Sequence, residues 1–217
     1  MINYLDCRNE IDYKKLQEVA DIIKQGGIVV FPTETVYGIG TNGLDSKAIS
    51  KLYQVKQRPL DKPISLLVSS LEMVEAVTEN ISDMEYKLME AFFPGPLTII
   101  LKKNKVVPDN LTNNADTVGI RMPDNIIARK LIEYANVPIA TPSANISGKP
   151  SGTNIQDIIK DFGDKVDYYI DGGPSKLGIG STIVKIEDNK PLILRKGSIS
   201  EEEILRGDKL CLLNLKF

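Results

Sequence analysis

Three cations crowd one short bend, KQRPLDKP (56–63): Lys56, Arg58 and Lys62 around two prolines. Such a run is either a solvated basic loop or, if the side chains converge, a site for several phosphate oxygens. Arginine offers a planar fork and lysine a movable point charge, so the mixture suits a triphosphate. Arg121 raises a sharper question, because it sits inside the otherwise apolar run TVGIRM (117–122). An unpaired buried charge is costly, so Arg121 requires an anionic partner, structural or substrate-borne. Arg195 in LILRKG poses the same question. Hydroxyls gather at neighbouring turns: Thr33 and Thr35 in PTETVYG (32–38), Thr141, Ser143 and Ser151 in ATPSANISGKPSG, and Ser181 and Thr182 after the glycine-rich GGPSKLGIG. Each group sits at a loop–strand junction beside proline or glycine, where ligands of open sheets collect.

Two familiar phosphate motifs are approached and missed. GKPS (148–151) lacks the first glycine of a P-loop, which is Ser143 here, and places Pro150 where the magnesium-binding hydroxyl belongs. GIGTNG (38–43) fits a dinucleotide fingerprint, with Asp61 near the ribose-binding distance, but Pro32–Tyr37 separates it from the preceding strand. The chain contains no histidine. That excludes Ser-His-Asp and Cys-His catalysis and most transition-metal sites. Chemistry here rests on lysine, arginine, hydroxyls, carboxylates and backbone, with magnesium as a possible companion.

The elements that position these residues follow from periodicity and caps. Leu16, Val19, Ala20 and Ile23 predict an amphipathic helix over 12–25, closed by Gly26-Gly27. A second helix runs from after Asp45 to about Gln57. Ser82 and Glu85 have capping-box spacing at the head of a third, which PGP (94–96) stops. Helices are also expected over 124–135, from Asn154 to about Phe162, and after Ser200 with Glu203. Strands are expected at 28–31, 64–68, 97–102, 117–122, 137–140 and 168–171, with a hairpin of 181–186 and 192–196 about EDNKP. Helices and strands intermingle with tight hairpin signals, which predicts an α/β (α+β) fold with a twisted mixed sheet and flanking helices.

At 217 residues, 42% hydrophobic and 26% charged, the chain has the composition of a soluble globular protein and reads as a single domain. A net charge of −2 argues against a surface built chiefly to grip nucleic acid. No apolar run approaches the roughly 18 residues of a membrane span, the start MINYLDCRNE lacks a signal-peptide pattern, and Cys7 and Cys211 stand far apart. A cytoplasmic protein without a disulfide scaffold or zinc site is expected.

Taken in order, PTETVYG, KQRPLDKP, PGPLT (94–98), GIRMP (119–123), TPSANISG (141–148), DGG (171–173), STIV (181–184) and LRKG (194–197) resemble the YrdC-type threonylcarbamoyl-AMP synthase family, over roughly residues 13–205. The resemblance implies a YrdC/RibB-like domain around a concave, positively charged cavity. It implies a nucleotidyltransferase that makes L-threonylcarbamoyladenylate and pyrophosphate from L-threonine, bicarbonate and ATP, with Mg2+ on the phosphates. The product would pass to a tRNA threonylcarbamoyl transferase complex. Carried over by motif, Lys56 and Arg58 form the K-x-R pair and act in catalysis. Arg58, Lys62, Thr117, Ser143, Asn145, Ser151 and Arg195 would contact ATP; Thr35, Arg121, Thr141 and Ser181 would hold threonine. Many relatives continue through a linker into a second domain. Here the tail 206–217 is expected to add a strand or pack at a subunit contact. The competing readings are an RNA-binding module of the same fold without catalysis and a paralogue that makes another carbamoyl-adenylate.

Overall fold

The computed structural model describes residues 2–206; the tail expected to add a strand or pack at a subunit contact, with Cys211, lies outside them from residue 207 on. Ten strands form one sheet: β1 (Tyr4–Asp6), β2 (Val29–Phe31), β3 (Gly38–Asn42), β4 (Leu66–Leu67), β5 (Leu97–Lys102), β6 (Thr117–Arg121), β7 (Ile139–Ala140), β8 (Tyr168–Asp171), β9 (Thr182–Glu187) and β10 (Lys190–Arg195). The helices are α1 (Tyr13–Lys24), α2 (Ser46–Lys56), α3 (Leu71–Val77), α4 (Asp83–Phe92), α5 (Asp109–Thr112), α6 (Ile126–Ala135) and α7 (Ile155–Phe162), and residues 201–206 are also helical. The strand order is β1-β8-β2-β3-β7-β4-β6-β5-β9-β10. Four parallel pairs (β1/β8, β2/β8, β4/β6, β5/β9) are interspersed among five antiparallel ones, so the sheet is mixed, as the intermingled signals predicted.

Caps set the helix boundaries. Asp12, Asp45, Ser70, Asn125 and Asn154 each accept a bond from a first-turn backbone N–H, and Ser82 with Glu85 completes a capping box. Ser200 and Glu203 make the same reciprocal contacts ahead of 201–206. The expected strands at 64–68 and 137–140 shrink to two residues each, and β1, β3, α3 and α5 were not anticipated. GIGTN is itself strand β3, so it cannot be a phosphate loop between strand and helix. Its glycines let the strand lie close to Phe31 and Thr141; a Cβ on Gly40 would meet the Thr141 hydroxyl at 2.9 Å.

Successive strand residues point to opposite faces, and the two faces have different cores. One face presents Val30, Ile39, Leu66, Ile120, Ile99 and Val184 to a cluster that includes Ile49 and Leu52 of α2, Leu88 of α4 and Ile158 of α7. The other face presents Val29, Phe31, Ile139, Leu67 and Ile170 to α1 and α6, through Leu16, Val19, Leu131 and Ile132. Among the described residues no helix is long and apolar enough to cross a membrane.

Ile120→Ala removes a fully buried side chain from the first cluster and should cost about 2–5 kcal/mol, whereas Leu192→Ala, at a position 43% exposed, should cost under about 0.5 kcal/mol. Urea unfolding of the two variants checks this, and equal losses would contradict the two-faced core.

Candidate active site

The second face changes character beyond β7. In β6 the residues Val118 and Ile120 enter the first core, which leaves Thr117, Gly119 and Arg121 on the other side. Register carries that side across the sheet: Arg121 lies opposite Leu67, Thr98 opposite Ile183, and Ile183 opposite Arg195. A cavity of about 210 Å³ occupies this stretch of the face. It is lined by Thr35, Arg58, Arg121, Thr141, Ser143, Ser151, Ser181 and Arg195, eight of the twelve residues carried over by motif from the family resemblance. Larger hollows elsewhere are built differently. One of about 480 Å³ is lined by three lysines, two of them already paired, Lys102 with Glu79 and Lys103 with Asp109, and one of about 580 Å³ is lined by no cation among the described residues.

Each of the three guanidiniums is held by backbone carbonyls. Gln57, in the left-handed region at φ 52°, ends α2 and turns the chain so that Arg58 donates from Nε to Lys62 O (2.9 Å) and from Nη2 to Pro63 O (2.8 Å). Arg195, at the end of β10, donates from Nη2 to Ser181 O (2.7 Å) and Oγ (3.1 Å), and Thr98 Oγ1 lies 2.7 Å from that same Oγ. Arg121 donates from Nε to Gly95 O (3.3 Å), and its Nη2 lies 2.7 Å from Glu34 Oε1. Burial, then Arg121 and Arg58, lower the Arg195 pKa, so Arg195 feels both of the other cations.

The loop from Thr141 to Gly152 is fastened from both sides. Ala144 N donates to Tyr37 O (2.7 Å) and Tyr37 N to Gly152 O (3.1 Å). From below comes Lys56, 1% exposed, whose Nζ donates to Ser143 O (2.6 Å), Asn145 O (2.5 Å) and Asn145 Oδ1 (3.3 Å). Ser143 Oγ donates to Asn145 Oδ1 (2.6 Å), while Asn145 Nδ2 donates to Lys149 O (2.7 Å) and Ile146 O (3.0 Å). Lys56, under the loop, and Asn145, within it, therefore stand outside the cavity lining; their polar atoms are spent on the loop's backbone and on Ser143 and each other. Lys62 is exposed at the rim of its bend, and Thr117 shares the face of Arg121 at the opposite end of β6. A second loop, GGPSKLGIG, docks on the first turn: Leu177 N donates to Glu34 O (2.9 Å) and Gly178 N, at φ 67°, to Thr35 O (2.8 Å).

Glu34, Thr98 and Ser65 belong to this region but were not singled out. Glu34 stands between the two threonines of PTETVYG, and Thr98 closes PGPLT, so both lay inside quoted motifs. No carboxylate lines the cavity, and no cluster of three metal-binding side chains occurs among the described residues. The lining is thus the wrong donor set to hold magnesium, which prefers carboxylate oxygens.

Residues 21–197 match the Sua5/YciO/YrdC family model, described as telomere recombination. The chain belongs to the Sua5/YciO/YrdC family. It is 42% identical over 200 residues to the threonylcarbamoyl-AMP synthase of Pyrococcus abyssi, covering 92% of this chain and 59% of that protein. It is 43% identical over 199 residues to a putative threonylcarbamoyl-AMP synthase of Methanocaldococcus jannaschii, covering 91% of this chain and 93% of the relative. The crystal structure of P. abyssi Sua5 complexed with L-threonine superposes with a TM-score of 0.91 at 41% identity, covering 95% of this chain and 60% of that one. This chain thus spans about three-fifths of the length of the P. abyssi relative. The mixed sheet with flanking helices expected from the family resemblance is the observed fold.

Burial, with Arg58 adding, pushes the Lys56 ammonium down to about 7 from 10.5, against the pull of its three oxygen acceptors. Between those two values the unfolded chain holds the extra proton, so Lys56 makes stability rise with pH above about 7. Urea unfolding should show the wild type gaining on Lys56→Met from about pH 7 to 9, with a constant difference below about pH 6. Parallel pH curves would contradict this.

Proposed function

We propose that the protein is a threonylcarbamoyl-AMP synthase that joins L-threonine, bicarbonate and ATP into L-threonylcarbamoyladenylate and pyrophosphate. One observation carries the reading: Arg58, Arg121 and Arg195 reach a single hollow from three separated stretches of chain, with hydroxyls between them. The names of the relatives and the L-threonine in the P. abyssi structure support the substrate choice.

In this reading the two substrates divide the hollow between them, meeting where Arg195 donates to Ser181. Arg121, Thr35, Thr141 and Ser181 form a small polar end suited to an amino acid, with Arg121 on its carboxylate. Arg58, Arg195, Ser143 and Ser151 form the end for the phosphates, with Lys62 and Thr117 further out. Ligand pockets for drug-sized molecules measure about 300–1,000 Å³. The cavity of about 210 Å³ takes the amino acid and part of the triphosphate. The nucleoside lies over Ser151, which also borders a second hollow of about 180 Å³. Asn145 and Lys56 act through the loop they hold rather than on the substrates.

The threonine ammonium and bicarbonate yield a carbamate, water and a proton released to solvent. A carbamate oxygen then bonds the α-phosphorus, and the bond from that phosphorus to the bridging oxygen breaks as pyrophosphate leaves. The nucleophile is already an anion, which a chain without histidine can use. Two like unit charges about 4 Å apart repel by about 4 kcal/mol at an effective dielectric near 20. The guanidiniums offset that repulsion and fix the two anions in place. Magnesium, when present, accompanies the phosphates as part of the substrate, and no step depends on a protein-held metal. The product would serve a tRNA-modifying transferase in the cytoplasm.

Pyrophosphate release from ATP is expected to require both threonine and bicarbonate. Arg58→Ala should lower that rate by about 10²–10³-fold with the melting transition largely kept. Threonine-independent release would overturn the substrate assignment. RNA affinity that falls steeply with salt, without ATP turnover, would favour a binding module instead.

A further inference from the structure

The three guanidiniums are not balanced alike. Arg58 and Arg195 rest on uncharged acceptors, the carbonyls of Lys62, Pro63 and Ser181. Among the described residues, Glu34 is the only carboxylate in ion-pair contact with any of the three, and it touches Arg121. Both side chains of that pair are nearly sealed from solvent, at 9% and 8% exposure. Glu34 stands outside the cavity lining, behind Arg121. The contact is one of charge more than of aligned bonds: neither Glu34 oxygen nor Arg121 Nη2 makes a hydrogen bond of good angle. A bidentate fork would have locked the guanidinium to its partner. Here Nη1 has no bond to Glu34, so the cation can meet an anion in the cavity while its charge is matched from behind. The turn that carries Glu34 is itself fixed, because its carbonyl accepts from Leu177 N.

We propose that Glu34 is a positioning and selectivity residue that makes the Arg121 end of the cavity electrically balanced, so that it takes a zwitterionic amino acid and refuses phosphate. The inference rests on the assignment of threonine to that end. An α-amino acid brings a carboxylate and an ammonium together. Beside an unbalanced guanidinium, with two more nearby, the ammonium is repelled and a polyanion is preferred. With Glu34 behind Arg121 that end carries no net charge, and the excess positive charge is confined to Arg58 and Arg195. The cavity thus has a polarity that sorts two substrates which both present an anionic group. Without it, a phosphate of ATP competes for the amino-acid end.

The test is steady-state kinetics of pyrophosphate release by the whole chain, with inorganic phosphate as the probe inhibitor. For the wild type, phosphate should compete with ATP and not with threonine. In Glu34→Gln the threonine KM should rise about tenfold or more while the ATP KM changes less than about twofold, and phosphate should become competitive with threonine. Glu34→Asp keeps the charge with a shorter reach and should fall between the two. If Glu34→Gln does not fold, the same split between the two KM values in Glu34→Asp decides. An unchanged threonine KM, a parallel rise in both KM values, or phosphate that never competes with threonine overturns the proposal. Loss of threonine dependence in the wild type is a different result and would overturn the synthase assignment itself.

Discussion

Three guanidiniums in one small hollow repel one another, and the surrounding backbone is arranged to make their company tolerable. The acceptors that hold them are the carbonyls of Lys62, Pro63, Gly95 and Ser181. All four lie in turns shaped by proline or glycine: KQRPLDKP, PGP and GIGS. A carbonyl inside a regular strand or helix is already engaged by its own ladder, whereas a carbonyl in a proline- or glycine-bent turn is left to face a side chain. The turn residues of these motifs therefore have a physical task. They turn oxygens toward the arginines, and the arginines keep other nitrogens for a ligand.

That arrangement depends on a sheet whose two faces do different work. The face packed on α2, α4 and α7 is apolar from β2 to β9, which fixes the register of every strand beneath the cavity. On the opposite face α1 and α6 cover only the half around β8, β2 and β7. Among the described residues neither helix reaches the remaining half, which carries Thr98, Arg121, Ile183 and Arg195. A slip of one residue in β6 would bury Arg121 in the first core and expose Ile120. The hydrophobic alternation of TVGIR thus stabilises the fold and aims the arginine by the same means.

Much of this was legible in the sequence, and the exceptions have reasons. Helices with a side-chain cap and an apolar stripe, such as Ser46–Lys56 behind Asp45 and Ile155–Phe162 behind Asn154, came out within about two residues of expectation because both cues are local. Tyr4–Asp6 did not, since three residues have no readable period and pair with Tyr169–Asp171, far away in the chain. Gly38–Asn42 hid behind its glycines, which look like a loop and are small because Phe31 and Thr141 press on them. Cations and hydroxyls beside turns pointed to the cavity. Lys56 and Asn145 were carried over by motif as a catalytic and an ATP-contacting residue; that Lys56 is buried beneath the 141–152 loop and Asn145 within it was not visible in the sequence. Glu34 stayed unseen for a related reason: its partner Arg121 is joined to it only by the folded sheet.

The most direct test of the account is a crystal structure of this chain with L-threonine and a non-hydrolysable ATP analogue. The account predicts the amino acid's carboxylate on Arg121, with Glu34 still behind it, and triphosphate oxygens on Arg58 and Arg195 in the same hollow. A nucleotide bound outside the hollow, or a triphosphate seated on Arg121, would contradict it.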